Sequence, residues 1–141
     1  MKIKQVKKFD GEVYDSIVSL LPQLTTNSKP PTKKYFKKLL RSKNIYLFVA
    51  KVDKKVVGTL ILSSCNILVG TKYWIEDVVI DESQRGKGYG KELTQFAIDF
   101  AKSLGAKSVN LTSQPYRIEA NGLYPRLGFV KIETNVYRYN F

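Results

Sequence analysis

The sequence contains no histidine and a single cysteine, Cys65. The absence of histidine argues against Ser/His and Cys/His catalytic triads, because no imidazole base is available. One thiol cannot form an intramolecular disulfide, and one thiol without histidine offers too few ligands for a zinc site. We therefore expect no metal and a reducing cytoplasmic location. We interpret Cys65 as a small buried apolar residue in preference to a nucleophile.

Long apolar runs are also missing. None approaches the ~20 residues that span a bilayer, and the N-terminal stretch MKIKQVKKFDG lacks the apolar segment of a signal peptide. These features predict a soluble, unexported protein with no membrane partner. The 141 residues, 43% of them hydrophobic, are typical of one domain that covers residues 1–141.

Acidic residues are scarce, with 12 against 24 basic residues and a net charge of +12. Such an excess favours an anionic partner: nucleic acid, a phosphorylated cofactor or an acidic surface. The cations are scattered through the whole chain, so a solvated lysine-rich surface explains the excess equally well.

Apolar periodicity predicts a strand, two helices and three strands in the first half of the chain. The helices are DGEVYDSIVSLLPQL, capped by Asp10, and KKYFKKLLRSKN, capped by Thr32 after the loop TTNSKPPT. IYLFVAKVD and KKVVGTLILSSCNIL form an antiparallel hairpin around Asp53 and Lys54, and KYWIEDVVI is the next strand.

The second half begins with a strongly amphipathic helix that starts near Gly88 and stops at Gly105, a position typical of a C-cap. KSVNLTS then predicts a strand and RIEANGLYPRLG a short helix. FVKIETNVYRYNF predicts a final hairpin that turns near Thr134 and Asn135. This order of elements indicates a mixed α/β fold.

The stretch RGKGYGKEL, residues 85–93, places glycines at every second position among cations. A strand that ends at Ile80, a turn and a helix N-terminus leave unpaired amides where the helix dipole is positive. Glycines let an anion approach these amides, and Arg85, Lys87 and Lys91 add formal charge. The stretch therefore predicts a phosphate site.

Neither common nucleotide signature fits this stretch. The P-loop pattern GxxxxGK[ST] is absent, because Gly86 to Gly90 is one residue short and Lys91 precedes Glu92. GKGYG is GxGxG, so the dinucleotide pattern GxGxxG fails as well. Taken alone, the glycines are equally consistent with a flexible turn.

Two longer motifs add weight to the phosphate site. RGKGYG, Arg85 to Gly90, fits the [QR]xxGx[GA] signature of the GNAT superfamily of N-acetyltransferases, which the chain resembles. RIEANGLYPRLGF, residues 117–129, is similar to the second signature of that family, with an Asn and a Tyr on a short helix before a Gly-Phe pair. The order of elements matches too, so the resemblance covers essentially the whole chain.

The resemblance implies an α/β (α+β) mixed sheet of the acyl-CoA N-acyltransferase fold, with about seven strands and about four helices. The sheet is expected to splay between strands 4 and 5, which are the strand that ends at Ile80 and the strand at residues 109–112. The pantetheine arm of acetyl-CoA would pair with Val78, Val79 and Ile80. The pyrophosphate would lie on the amides of Arg85, Gly86, Lys87, Gly88, Tyr89, Gly90 and Lys91.

The resemblance also implies catalytic roles. Tyr124 would protonate or hydrogen-bond the coenzyme sulfur, and Asn121 would hold the pantetheine or a bridging water. Glu76, with Asp77 as second choice, would polarise the acceptor amine through a water, although a salt bridge to a lysine explains either carboxylate comparably well. Adjacent strand residues point to opposite faces, so one of the two carboxylates would face the acceptor. A backbone N–H near Val78 or Val79 would stabilise the oxyanion.

The expected function is transfer of an acetyl group from acetyl-CoA to a primary amine of a small molecule, peptide or protein within a ternary complex. The alternative is a basic nucleic-acid- or ribosome-binding module without catalysis, motivated by the charge and by the Lys-rich helix at residues 33–43. The sequence leaves open the acceptor, the acyl-chain length and the choice of carboxylate. The alternating terminal strand VYRYNF favours a homodimer over a monomer.

Overall fold

The described residues, 1–25 and 29–141, form one five-stranded mixed sheet with helices on both faces in this computed structural model. The strands are β1 (Lys2–Gln5), β2 (Ile45–Val52), β3 (Lys55–Ile67), β4 (Gly70–Ile80) and β5 (Val109–Asn110). The α-helices are α1 (Gly11–Leu20), α2 (Lys33–Arg41), α3 (Tyr89–Ser103) and α4 (Ile118–Arg126), and two 3₁₀ helices cover Leu21–Gln23 and Glu82–Gln84. The order across the sheet is β1-β2-β3-β4-β5, with β1 to β4 antiparallel and β5 parallel to β4.

Helix boundaries follow local side-chain and backbone chemistry. The Asp10 carboxylate accepts from the Val13 amide at 3.1 Å and begins α1. The Thr32 hydroxyl accepts from the Tyr35 amide at 3.1 Å and begins α2. Gly105 follows α3 with a φ of +84°, the left-handed conformation that glycine adopts without strain. The three predicted helix boundaries are therefore confirmed.

The turn between β2 and β3 consists of two residues. Asp53 and Lys54 have φ values of +48° and +68°, which is the pattern of a type I′ turn. This turn matches the right-handed twist of the flanking strands, so it fixes the register of the hairpin. The predicted antiparallel hairpin is confirmed.

The two faces of the sheet carry separate apolar clusters. α3 covers one face through Leu93, Ala97 and Ala101, which pack against Phe48, Leu60 and Ile75 of the central strands. α1 and α2 cover the other face through Val13, Ile17 and Phe36, which pack against Leu47 and Val49 of β2. Since each strand alternates its side chains, β2 supplies residues to both clusters.

The prediction of about seven strands is wrong for the described residues, because five form, while the four predicted helices are present. The missing pair is the hairpin predicted for residues 129–141, which contain neither helix nor strand. Val130, Val136 and Phe141 are exposed there, although the segment alternates like a strand. No residue near position 134 has the positive φ that a tight hairpin turn uses. The homodimer predicted from this segment stays a prediction.

Cys65 is exposed, so the prediction of a buried thiol is wrong. It lies near the tip of the β3–β4 hairpin, where Leu68 and Val69 are also exposed. The strand pattern continues past the point at which the helices stop covering the sheet, which explains the error. Part of the predicted loop TTNSKPPT, residues 26–28, lies outside the described residues.

Gly58 allows β3 and β4 to approach closely at the end of β4. A Cβ at this position would lie 2.4 Å from Ile80 Cδ1 and 2.9 Å from the Val79 carbonyl oxygen. We expect Gly58→Ala to lower the free energy of unfolding by about 1–3 kcal/mol, because the neighbouring strand must shift.

Urea denaturation measures this loss of stability. The matched control is Gly11→Ala in the first turn of α1, where an added Cβ meets nothing within 4 Å. It should stay within about 0.5 kcal/mol of the wild type. Equal losses in the two variants would contradict the close approach.

Candidate active site

A β-bulge interrupts β4 in the middle of its pairing with β3. Thr59 pairs with Val79 and Ile61 pairs with Glu76, so two residues of β4, Asp77 and Val78, lie opposite one residue of β3. Asp77 has a φ of +52°, a left-handed conformation that costs most residues about 1–2 kcal/mol and that Asp tolerates better than most. The backbone is thus held in an unusual conformation at this point.

The bulge changes which side chains of β4 face α3. Before it, Tyr73 and Ile75 belong to the cluster under α3, and after it Val78 and Ile80 pack against the same cluster. The extra residue therefore shifts the alternation by one. In an uninterrupted strand, the odd-numbered residues of β4 would face α3 along the whole strand.

β4 and β5 separate soon after they meet. They pair only through Tyr73 with Val109 and Trp74 with Asn110. The rest of β4 up to Ile80 has no strand on this side among the described residues, so its backbone groups face the gap. The predicted splay between strands 4 and 5 is present.

The glycine-rich turn is built as a set of short local contacts. The Asp81 carboxylate accepts from the Ser83 amide at 2.9 Å and from its hydroxyl at 2.6 Å, and these bonds lower the pKa of Asp81. Arg85 Nε donates to the Ile80 carbonyl at 3.2 Å, so its side chain folds back against the end of β4. Lys87 Nζ donates to Gln84 Oε1 at 2.9 Å.

The amides at the start of α3 form the positive end of the turn. Gly86 and Gly88 have φ values of +76° and +82°, and Gly88 is the N-cap residue. The amide of Glu92 donates to the Gly88 carbonyl at 3.1 Å, so the amides before Glu92 precede the first bond of the helix. This is the arrangement that binds phosphate at a helix N-terminus.

A cavity of about 520 Å³ joins the gap beside β4 to this turn. The structure brings nine predicted site residues to its wall: Val78, Val79, Ile80, Arg85, Gly86, Gly88, Tyr89, Gly90 and Tyr124. Five others, Glu76, Asp77, Lys87, Lys91 and Asn121, do not line it. The backbone edge, the helix N-terminus and a tyrosine therefore share one space.

Tyr124 lies half-buried on α4 at the wall of this cavity. Its ring packs edge-on against Phe129, with 5.8 Å between the ring centroids and an interplanar angle of 72°. Burial raises the pKa of the Tyr124 hydroxyl, and the charge of Arg117 partly opposes that rise. The hydroxyl is therefore held protonated, as a proton donor requires.

The two adjacent carboxylates have raised pKa values. Burial raises the pKa of Glu76, and the neighbouring Asp77 charge raises it further. Burial also raises the pKa of Asp77, while the positive charge of Arg117 lowers it. Both side chains keep contact with solvent, so surrounding protein atoms remove only part of their hydration.

Asn121 contacts the loop before its own helix. Its side-chain Nδ2 donates to the Gln114 carbonyl at 2.8 Å and to the Pro115 carbonyl at 3.4 Å. The amide therefore fixes the turn that leads into α4. Its pantetheine-binding role stays a prediction.

Nine of the residues that line the cavity were not predicted site residues, and three of them make contacts with distant segments of the chain. These three are Gln23, Leu24 and Arg117. Gln23 Oε1 accepts from the Glu82 amide at 2.8 Å, and Arg117 Nη2 donates to the Leu24 carbonyl at 2.6 Å. Arg117 is the N-cap residue of α4 and precedes Tyr124 by seven residues. Their contacts with residues 59 and 93 positions away have no local signal in the sequence.

A family model described as the Acetyltransferase (GNAT) family matches residues 14–129. The chain belongs to this family. The resemblance that the glycine motif and the α4 motif indicated is confirmed, and the protein is an N-acetyltransferase of the GNAT type.

Individual relatives agree with the family match. The chain is 33% identical over 99 residues to the "Uncharacterized N-acetyltransferase YhdJ" of Bacillus subtilis, which is 68% of this chain and 69% of the relative. It is 30% identical over 128 residues to N-acetyltransferase 8B of Homo sapiens, which is 81% of this chain and 56% of the relative. The GNAT chain thus spans little more than half the length of its human relative.

Solved structures show the same fold. An aminoglycoside acetyltransferase from an uncultured soil metagenomic sample superposes with a TM-score of 0.87 at 23% identity, covering 99% of this chain and 95% of that one. A ribosomal-protein-alanine N-acetyltransferase from Brucella melitensis superposes with a TM-score of 0.79 at 19% identity over 100% of both chains. These identities support the shared fold alone.

The described residues of this GNAT protein contain neither a membrane-spanning helix nor a metal-binding group. No helix in residues 1–25 and 29–141 has the length and apolar character needed to cross a bilayer. Within the same ranges, no three side chains from His, Cys, Asp and Glu come together in a group that could hold a metal ion.

The raised pKa of Asp77 predicts how stability changes with pH. The folded state keeps a proton on Asp77 to a higher pH than the unfolded chain does, so stability falls as the pH rises from the unfolded pKa to the folded pKa. Asp77→Asn removes this loss. We expect the variant to gain stability relative to the wild type as the pH rises above the pKa of Asp77 in the unfolded chain, and the gain to level off above its raised pKa in the folded protein.

Urea denaturation at several pH values measures this gain. The matched control is Asp53→Asn, because Asp53 has a similar φ of +48° in the exposed β2–β3 turn. The control reports what Asn contributes through backbone preference alone. If Asp77→Asn and Asp53→Asn gain the same stability as the pH rises, a burial effect at Asp77 would be contradicted.

Proposed function

We propose that the protein transfers an acetyl group from acetyl-CoA to a primary amine by direct transfer within a ternary complex. One observation carries the proposal: a single cavity joins the unpaired edge of β4, the N-terminus of α3 and the Tyr124 side chain. An elongated donor needs these three features in this order: a backbone edge for its amides, a positive end for its phosphates and a proton donor for its sulfur.

The chemistry of the cavity suits the donor. The amide-containing pantetheine arm would pair with the β4 backbone at Val78 to Ile80, in the manner of an added strand. The pyrophosphate would lie on the amides that precede Glu92, where Gly86 and Gly88 have no Cβ to block it. Part of the +12 charge then has a defined use, because the donor carries several phosphate charges.

The bulge supplies a group for the acetyl carbonyl. Because Asp77 and Val78 share one partner on β3, the β3–β4 ladder is interrupted, which would leave an amide near Val78 free to donate. We propose that this amide binds the carbonyl oxygen as negative charge develops on it. Tyr124 would donate a proton or a hydrogen bond to the departing sulfur.

A carboxylate would prepare the acceptor amine. We propose Glu76, with Asp77 as second choice, acting through a water, since neither side chain lines the cavity itself. The raised pKa of each carboxyl group makes it a stronger base than a carboxylate with an ordinary pKa. Two structural neighbours are named for an aminoglycoside and for ribosomal-protein alanine, so we propose the acceptor only as a primary amine.

The competing function, nucleic-acid binding through α2, finds less support. Lys37 Nζ lies 4.6 Å from the centroid of the Phe9 ring, and Lys33 Nζ lies 5.8 Å from that of Tyr14. Both lysines therefore contact aromatic rings of the protein itself. Nucleic-acid affinity would fall steeply with added salt, whereas donor binding by backbone amides would fall less.

Calorimetric titration with acetyl-CoA tests the donor site. We expect Gly88→Leu to weaken binding by at least about ten-fold, or about 1.4 kcal/mol, because its side chain would occupy the phosphate position. The matched control is Gly105→Leu at the other end of α3, where φ is +84° against +82° at Gly88 and an added Cβ likewise meets nothing within 4 Å.

Both variants place leucine in the same strained conformation, so a general loss of stability affects them alike. Gly105→Leu should bind acetyl-CoA within about two-fold of the wild type. Equal weakening in both variants would contradict the phosphate site. No binding by the wild type, together with nucleic acid in the preparation, would favour the binding-module function.

Tyr124→Phe tests the proton donor. We expect kcat for a reactive amine to fall by about 10²-fold, because the departing sulfur loses its acid, while affinity for acetyl-CoA changes little. Release of the free thiol measures the rate.

Tyr46→Phe is the matched control for Tyr124→Phe. Tyr46 is also half-buried and packs edge-on against a phenylalanine, Phe100, at 5.1 Å, but it lies outside the cavity. Its kcat should match that of the wild type. An unchanged kcat in Tyr124→Phe would exclude the proposed acid role.

A further inference from the structure

One arginine connects three separate parts of the chain at the cavity. Arg117 is the N-cap residue of α4, and its carbonyl accepts from the Asn121 amide at 2.9 Å. Its guanidinium reaches the Leu24 carbonyl, 93 residues earlier, through a bond of 2.6 Å from Nη2. It also lies close enough to Asp77 and Tyr124 for its charge to act on both groups.

The segment that Arg117 holds is residues 21–24, which we call the strap. The strap consists of the 3₁₀ helix Leu21–Gln23 and Leu24, and two of its residues line the cavity. It is fastened at two points, to the Glu82 amide through Gln23 Oε1 at 2.8 Å and to Arg117 through the Leu24 carbonyl. The strap therefore joins the turn after β4 to the start of α4.

We propose that Arg117 is a positioning residue for the transfer: it fastens the strap across the cavity and sets a positive charge beside Tyr124 and Asp77. The inference rests on the proposed acetyl transfer. Arginine suits this role because its planar guanidinium has five N–H donors and keeps its charge at all working pH values. One donor holds Leu24, which leaves others to face the cavity.

The position of the charge has a chemical consequence. An acceptor amine attacks only as the neutral base, and a fixed cation nearby disfavours its ammonium form. The same charge counteracts the desolvation of the Asp77 carboxylate. Arg117 thus favours a neutral amine next to an ionised carboxylate, while the strap limits where the acceptor can enter.

Three variants separate the fastening from the charge. Arg117→Met removes both, and Arg117→Lys keeps the charge on a side chain without the planar donor set. Arg126→Met is the control, because Arg126 also lies on α4 and also donates to a backbone carbonyl, that of Gly122 at 2.9 Å, but is exposed and outside the cavity.

The first readout is amide hydrogen exchange in the strap, which needs no acceptor and no activity. The Leu24 and Thr25 amides donate to the Leu21 carbonyl at 2.9 Å and 3.0 Å, so their exchange reports whether the strap stays folded. We expect exchange at these amides to be at least about ten-fold faster in Arg117→Met and unchanged in Arg126→Met.

The second readout is the division of the effect between KM and kcat for an amine that the wild type acetylates. We expect Arg117→Met to raise KM for the amine and to lower kcat, each by about ten-fold or more, with affinity for acetyl-CoA within about two-fold of the wild type. Arg117→Lys should restore most of kcat and leave KM for the amine raised, since it returns the charge without the fastening.

Each outcome decides the inference. Strap exchange in Arg117→Met within two-fold of the wild type would overturn the fastening role. Equal loss of kcat in the Met and Lys variants would overturn the charge role. If the wild type neither binds acetyl-CoA nor acetylates any amine, the proposed function fails and the positioning role fails with it. Faster strap exchange in Arg117→Met would then show that the fastening exists without that role.

Discussion

The extra residue in β4 is the constraint on which the rest of the site depends. A regular strand paired along its whole length with β3 would keep one alternation from Gly70 to Ile80. The bulge shifts that alternation, turns Val78 and Ile80 toward the cluster under α3, and interrupts the ladder between β3 and β4. A left-handed Asp77 is the local cost of this arrangement, and the buried residues on both sides hold it in place. The cavity, the unpaired edge and the raised pKa values of the adjacent carboxylates all lie next to this one irregularity.

Charge in the site is set by a balance between burial and one cation. Burial raises the pKa values of Glu76, Asp77 and Tyr124, so without compensation the site would favour neutral groups. The positive charge of Arg117 lowers the pKa values of Asp77 and Tyr124. The same side chain donates a hydrogen bond to Leu24 of the strap. Electrostatics and shape at the reaction end of the cavity therefore depend on the same side chain, which is why substitution there is expected to change several measurable properties at once.

Much of the fold could be predicted from the sequence because its signals are local. Asp10, Thr32 and Gly105 mark helix ends through their own side chains or torsions, and the turn at Asp53 and Lys54 follows from the length of the loop. The glycine turn was predictable for the same reason. Errors arose where a strand pattern depends on another element that pairs with it or covers it. Residues 129–141 alternate like strands but form none. Cys65 lies in a strand that extends past its covering helices. The contacts of Arg117 with Leu24 and of Gln23 with Glu82 join distant segments, so no local pattern could indicate them.

Ile80 connects the interior of the sheet to the turn that we propose binds the donor phosphates. Its side chain lies against two glycines: an added Cβ at Gly58 would be 2.4 Å from Ile80 Cδ1, and one at Gly90 would be 3.6 Å from Ile80 Cγ1. Gly58 belongs to β3 in the core, whereas Gly90 belongs to the first turn of α3. A change in core packing at β3 would therefore shift Ile80 and, through it, the first turn of α3. In a directed-evolution experiment that selects only for thermal resistance, mutations around Gly58 would alter donor affinity as a side effect, although none of them touches the donor.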